Sequence, residues 1–516
     1  MDFAQIPNDV LQPLFYAEVS SSKAAGGATS RPTLLMGQML PSGTATANVP
    51  VRVASGAQGN SLFGFGSQLA RICHAYFLND PYAEVWAIPV VDAGTAVKAS
   101  KKLTITGPAT AAGVLNLYIA GQKLAISVAS GDSADIIGGK IQTALGVDEA
   151  GAVTTKSTYP VTASNTTGEV TFTARNGGLV GNRIDLRVNY LGSAGGESYP
   201  AGVAITELAS VTHVNLASGE TNPTLTTAIA NMGDTRYSYV VHPWTDATSL
   251  DAFQKEFADA PTGRWGPIRR TYGHVFTADD DTYTSLSTTG LATAMNNDPH
   301  CSSFVFEASP TPCYEVAAAF GGRAAQSLRV DPARPLNTLE LFGVLAPAAA
   351  DQFSWSEREV LLGLGMTTPM ISSDGTCRIQ RAITNRTKNA YGAADSAYRD
   401  ITTPATLDYL LTEMESMVTT RYGRHKLVSD GTQVAPGAAA VTPSMVKADI
   451  IALYRKWERR VVVEGWATFA KLLVVERNSD DSNRLDVLFP PDLANSLHIF
   501  AALAEFRLQY TAAEAA

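Results

Sequence analysis

The sequence predicts a multidomain α+β/α/β chain. It has a central α/β domain, an inserted mostly-β module and a C-terminal α+β domain, with extended N- and C-terminal strand arms. Three observations predict it. Short buried-type strands alternate with helices in two stretches, as parallel crossovers require. Between them runs a Thr/Val/Ile-rich alternating segment broken by glycine turns. Each end of the chain carries a strand-like piece with nothing local to pair with.

Residues 1–30 read as an arm and a linker. "LQPLFYAEV" alternates in part and sets Leu14 and Tyr16 on one face; "SSSKAAGGATSR" then follows as a small-residue tether. Residues 31–100 open the α/β domain with strand "TLLMG", helix "GSQLARICHAYFLND" and strand "AEVWAIPV", one βαβ unit. Residues 101–217 form the inserted module, with strands in "KKLTITG", "GVLNLYIAGQKLAISVA", "GEVTFTAR" and "NRIDLRVNYL" and one helix, "SADIIGGKIQTALG". Gly121 and Gln122 stand where its hairpin should turn.

Residues 218–345 resume the α/β rhythm, with strands in "YSYVVHP", "TYGHVFTA" and "SSFVFEA" and helical stretches between and after them. Residues 346–498 form the C-terminal domain. Its helix "TPSMVKADIIALYRKWERR" starts with Thr442 as cap and Pro443 in the first turn. Val446, Ile450, Leu453, Tyr454, Trp457 and Val461 make the apolar stripe of that helix, and "KLLVVERN" and "NRLDVLF" form a hairpin around "SDDS". Residues 499–516 are the second arm. In "AEFRLQY", Phe506, Leu508 and Tyr510 share one strand face.

Composition bounds the function. At 516 residues there is room for two to four domains. A formal charge of −9, from 39 Lys plus Arg against 48 Asp plus Glu, argues against a general nucleic-acid binder. The start, "MDFAQIPNDV", lacks a basic region and a long apolar run, so no signal peptide is expected. No apolar stretch approaches the roughly 20 residues of a membrane span, so no membrane insertion is expected. A soluble protein made in a cytoplasm follows. Cys73, Cys301, Cys313 and Cys377 form no CxxC and read as buried free thiols, with a bridge between copies as the alternative.

Chemistry is sparse, and no catalytic, metal or cofactor residue is expected. The seven histidines show no compact ligand spacing. "GFGSQL" lacks the third glycine of a dinucleotide loop and reads as a helix entry. "ADDDTY" reads as the acidic first turn of a helix rather than a calcium loop. His242-Pro243-Trp244 reads as a packed loop at a strand end. The strongest charge feature is Arg455, Lys456, Arg459 and Arg460 on one helix. It is either a face solvated beside Glu458 and Asp449 or a docking face for an acidic partner.

The chain resembles the contractile bacteriophage tail sheath proteins of the Mu-like type. The match lies in "IPNDVLQPLFYAEVSSSKA", "RPTLLMGQM" and "SLFGFGSQLARICHAYFLNDPYAEVWAIPV". It lies also in "LLVVERNSDDSNRLDVLFPPDLANSLHIFAALAEFRLQY", and it is weakest over residues 101–217. The resemblance implies a structural virion protein, not an enzyme, assembled in the host cytoplasm. Copies would stack as six-membered rings or helical strands around a tail tube, meet baseplate and tail terminator proteins, and contract to drive the tube through the host envelope. It implies that the arms, with Leu14, Tyr16, Phe506, Leu508 and Tyr510, add strands to neighbouring copies. It also implies that the C-terminal domain lies nearest the tube, with Arg455, Lys456, Arg459 and Arg460 facing it. The alternative is an α/β hydrolytic domain carrying a β-rich binding module.

Overall fold

The computed structural model describes residues 31–146 and 156–508. The first described element is β1 (Thr33–Gln38), buried along its whole length, as a central parallel strand must be. An edge strand β2 (Val51–Val53) and helices α1 (Gly56–Phe63) and α2 (Gln68–Asn79) follow, then β3 (Val85–Val90). β1 and β3 are parallel from Thr33–Val85 to Gln38–Val90, completing the expected βαβ unit. "GFGS" is indeed a helix entry: the Ser67 hydroxyl accepts a hydrogen bond from the Ala70 amide at the start of α2.

The inserted module comprises β4 (Ser100–Thr106), β5 (Gly113–Ile119), β6 (Gln122–Val128), α3 (Ala134–Ala144), β7 (Val161–Thr166), β8 (Glu169–Ala174), β9 (Asp185–Val188), β10 (Ala204–Ile205) and β11 (His213–Asn215). Two antiparallel four-stranded sheets, ordered β10-β4-β8-β7 and β11-β9-β5-β6, enclose a core with Leu117, Ile126, Ile137 and Phe172. The β5–β6 turn lies one residue earlier than the sequence suggests. Ile119 pairs with Gln122, leaving Ala120 and Gly121 as the turn, at φ +52° and +73°. A two-residue turn with both φ positive matches the twist of the strands.

The chain then returns to the first sheet through α4 (Thr226–Ala230), β12 (Tyr239–Val241), α5 (Ala247–Phe257), β13 (His274–Asp280), α6 (Leu291–Ala294), β14 (Cys301–Phe306), α7 (Cys313–Val330), α8 (Trp355–Gly363), β15 (Met366–Ile371) and β16 (Cys377–Arg381). The result is one eight-stranded sheet, ordered β16-β15-β14-β13-β12-β1-β3-β2. It is parallel except at its two edge strands. β15 and β16 lie beyond residue 345, so this sheet runs on past the boundary expected there.

Two local readings are corrected. "ADDDTY" is not a helical first turn: Asp279 and Asp280 end β13 and are buried. The single helix expected after it is instead a π-turn at Ser285–Thr289 and the four-residue α6, parted by Gly290 at φ −88°, ψ −116°, outside the helical region. Its Ser/Thr-rich sequence favours side-chain bonds to its own backbone, such as Thr288 to the Thr284 carbonyl.

The C-terminal domain contains α9 (Thr402–Tyr422), β17 (Lys426–Leu427), β18 (Ala440–Val441), α10 (Pro443–Arg459), α11 (Trp466–Leu472), β19 (Val474–Arg477) and β20 (Leu485–Leu488). Thr442 caps α10 through the Met445 amide. Val446, Ile450, Tyr454 and Trp457 are buried and Leu453 half-buried. Val461 is 71% exposed, because the helix ends at Arg459 and Val461 has turned to φ +56°. The four cysteines are buried and free.

Candidate assembly surfaces of the C-terminal domain

Leu14, Tyr16 and Tyr510 lie outside the described residues, and so does the first arm as a whole. Phe506 and Leu508 are described and are 86% and 97% exposed. Residues 489–508 form no strand beyond an isolated bridge from Leu493 to Val463. Residues 504–508 therefore join no sheet among the described residues.

The root of this tail is held firmly. The Ala494 amide donates to the Val462 carbonyl. The His498 ring lies 3.0 Å from Asn337 Nδ2 and 3.2 Å from Asp400 Oδ1. Arg381 grips the same Asp400 through both Nε and Nη2, at 2.8 and 2.9 Å. Burial lowers the pKa of His498, opposed by Asp400. Past His498 the chain leaves the body, and Ile499, Phe500, Leu503, Phe506 and Leu508 all project into solvent.

Among the described residues β19 and β20 pair only with each other, from Val474–Leu488 to Arg477–Leu485. A two-stranded hairpin is marginal alone and presents unpaired amides and carbonyls on both outer edges. Val474 and Leu488 on it are exposed. An open-edged hairpin and an apolar tail without a sheet thus occur in one domain.

Arg455, Lys456, Arg459 and Arg460, at the end of α10 and just past it, are all exposed, but they do not form one free patch. Lys456 Nζ lies 3.2 Å from Glu413 Oε2, and Arg460 Nη1 lies 3.7 Å from Glu413 Oε1 and also donates to the Tyr409 hydroxyl. Arg455 sits over the Trp466 ring at 4.8 Å. Arg459 makes no ion pair among the described residues. The acids expected beside them are engaged elsewhere: Asp449 pairs with Arg421 at 2.5 Å, and Glu458 accepts from the Trp466 amide at 3.1 Å.

The partner that sequence reasoning missed is Glu413 on α9. It also accepts from Trp457 Nε1 at 2.9 Å and from the Tyr409 hydroxyl at 2.7 Å. Burial pushes against its charge, yet the bonds from Tyr409, Trp457 and Lys456 hold its carboxyl below the usual range. Burial and Glu413 together push the Tyr409 hydroxyl up to about 12. One turn away, Asp408 is buried between Arg31, at 3.4 Å, and Arg236, which precede β1 and β12. These two carboxylates join α9 to α10 and to the parallel sheet; no local pattern in the sequence signals either.

The one Ser–His contact within hydrogen-bond reach among the described residues is not arranged for hydrolysis. His274 Nε2 lies 2.9 Å from Ser302 Oγ, but both residues are buried and His274 Nδ1 has no acid partner. A nucleophile needs access, and its base needs an orienting group. His242 stacks on Phe253 at 4.0 Å, and burial lowers its pKa to about 3, so it is a packed neutral side chain. Among the described residues no group of three or more His, Cys, Asp or Glu could hold a metal ion, and no helix is long and apolar enough to cross a membrane.

The phage tail sheath protein central domain matches residues 218–385, and the phage tail sheath C-terminal domain matches residues 393–507. The Mu-like prophage FluMu tail sheath protein of Haemophilus influenzae is 34% identical over 510 residues, covering 98% of this chain and 100% of its own length. Among solved structures, the sheath tail protein of Desulfitobacterium hafniense aligns at a TM-score of 0.47 with 11% identity, over 95% of this chain and 97% of its own. The helical sheath of the anti-feeding prophage in its contracted state aligns at 0.46 with 11% identity, over 96% and 99%.

Proposed function

Because the chain belongs to the phage tail sheath family, we propose that it is the structural subunit of a contractile sheath whose copies are joined through the C-terminal tail and the β19–β20 hairpin. The observation that carries the joint is the stretch after His498, apolar and, among the described residues, without a partner strand, in a domain whose hairpin has two open edges among those residues. Tail of one copy on hairpin of the next is strand addition: main-chain hydrogen bonds supply affinity and alternate side chains supply register. Such a contact is heterologous, so repetition builds rings or helices rather than closed dimers.

In this reading the subunits polymerise around a tail tube and shorten to drive it through the host envelope. Baseplate and tail terminator proteins meet the two ends of the polymer, and the sheath is a virion component assembled in the host cytoplasm. The C-terminal domain forms the tube-proximal layer. Arg455 and Arg459 are the residues with charge to spare for an acidic tube surface, since Lys456 and Arg460 are engaged by Glu413. Exposed charge pairs of this kind are weak and release easily, which suits a contact that must let go on contraction. The protein is not an enzyme in this reading; the buried Ser302–His274 pair supports that.

Electron microscopy of the purified full-length protein tests the proposal. Tubes or helical polymers are expected. A dispersed monomer with hydrolytic turnover would overturn it.

A further inference from the structure

In an open parallel sheet, ligands bind outside the carboxyl ends of the strands, where successive connections depart in opposite directions. Here that point lies between β1 and β12: the chain leaves β1 toward β3 and leaves β12 toward β13. Its β1 side is filled by the chain itself. The loop between β8 and β9 of the inserted module lies across it. Gln38, the last residue of β1, donates through Nε2 to the Gly177 carbonyl at 2.6 Å and to Asp92 Oδ1 at 2.7 Å. The same Asp92 accepts from Asn176 Nδ2 at 3.0 Å and from the Gly177 amide at 2.7 Å. Asn176 Nδ2 also reaches the Met39 carbonyl, and Asn176 Oδ1 accepts from the Gln68 amide at the start of α2. Val180 is buried in the core of the central sheet rather than in that of the module. The space left between the loop and Gln38 is about 20 Å³, room for one water, whereas a cavity of about 380 Å³ stays open on the other side of the loop, toward Pro243 and Asp279 after β12 and in β13.

More contacts extend the seat on both sides. Arg183 of the module reaches Asp279 and Asp281 at the end of β13, at 3.2 and 2.7 Å. Arg71 of α2 is buried against Glu315 and donates to the Thr158 and Ala120 carbonyls of the module.

We propose that residues 175–183 act as a built-in ligand for the sheet's carboxyl-end crevice, with Asp92 as the residue that anchors them. The inserted module is thereby a docked part of the sheet domain rather than an appendage on two linkers. Docking does not depend on the sheath reading; only its consequence does, that the module turns with the subunit as one body on contraction.

The test is hydrogen–deuterium exchange on the unassembled full-length protein, so a failure to polymerise does not enter it. Asp92→Ala removes three acceptor bonds at once. Gly177→Val inserts a side chain whose Cβ would meet Ala96 Cβ at 2.8 Å and leaves Asp92 intact. In both variants peptides spanning 175–183 should exchange at least tenfold faster, while the β5–β6 hairpin keeps its protection, because the module has its own core. Unchanged exchange of 175–183 in both variants would overturn the proposal. So would simultaneous loss of protection in β5 and β6, which would make the loop a folding element of the module rather than its docking anchor.

Discussion

Truncation after Ala502 separates the two roles the tail could have. It removes Leu503, Phe506 and Leu508, which are 88%, 86% and 97% exposed. Side chains so exposed add almost nothing to the stability of their own domain. If the same three are buried on a neighbour, each contributes up to about 1.5–3 kcal/mol, and the main-chain bonds of an added strand about 1 kcal/mol each. Half of the upper figure would still weaken each joint by roughly 4 kcal/mol, about a thousandfold in association, since about 1.4 kcal/mol is a factor of ten. Thermal unfolding of the unassembled protein and sedimentation of the polymer read the two quantities separately. The expected result is an unfolding midpoint within about 1 °C of the full chain, with polymer lost at concentrations where the full chain assembles fully. A truncated protein that polymerises at the same concentration would refute the reasoning, as would a midpoint several degrees lower.

Four further outcomes are expected. Arg455→Glu with Arg459→Glu should leave the fold intact and impair assembly on tubes in a pull-down, and normal tube-directed assembly would remove these residues from the tube contact. Glu413→Gln should lower the stability of the C-terminal domain by about 1–3 kcal/mol in urea unfolding, because a charged acceptor of several bonds is lost. Asp408→Ala should cost about 3–5 kcal/mol, since it leaves the Arg31 and Arg236 guanidiniums facing each other half-buried. The last outcome concerns pH. Burial pushes the Asp280 carboxyl up to about 8, against the pull of Arg183 and with Asp185 and Asp279 adding to it. The folded protein therefore holds a proton that the unfolded chain releases near pH 4, and stability falls as pH rises from about 4 to 8. Asp280→Asn should flatten that fall in thermal scans; an unchanged slope would show that Asp280 is ionised in the fold.

What could be read beforehand follows from how local each signal is. The βαβ unit, the three strands of the returning α/β stretch and α10 with its Thr442–Pro443 start rest on periodicity and capping within a few residues, and the structure bears them out. The place of β15 and β16 in the same sheet was not legible, because strand order is a property of the whole sheet and Met366 pairs back to Ser303. The ADDD stretch misled because helix-start chemistry and a buried strand end look alike until Arg183, nearly a hundred residues earlier, is brought beside it. The basic face of α10 was legible as a cluster, but its partner Glu413 stands 43 residues from Lys456 on another helix. The crevice network joins Gln38 to Gly177 across 139 residues and left no trace in any local pattern.

The most direct test of the sheath account is a density map of the assembled full-length polymer at side-chain resolution. The account predicts residues 499–508 as a strand on an open edge of the β19–β20 hairpin of a neighbouring copy, with Phe506 and Leu508 buried there. A tail paired to the hairpin of its own chain, or left in solvent within an intact polymer, would contradict it.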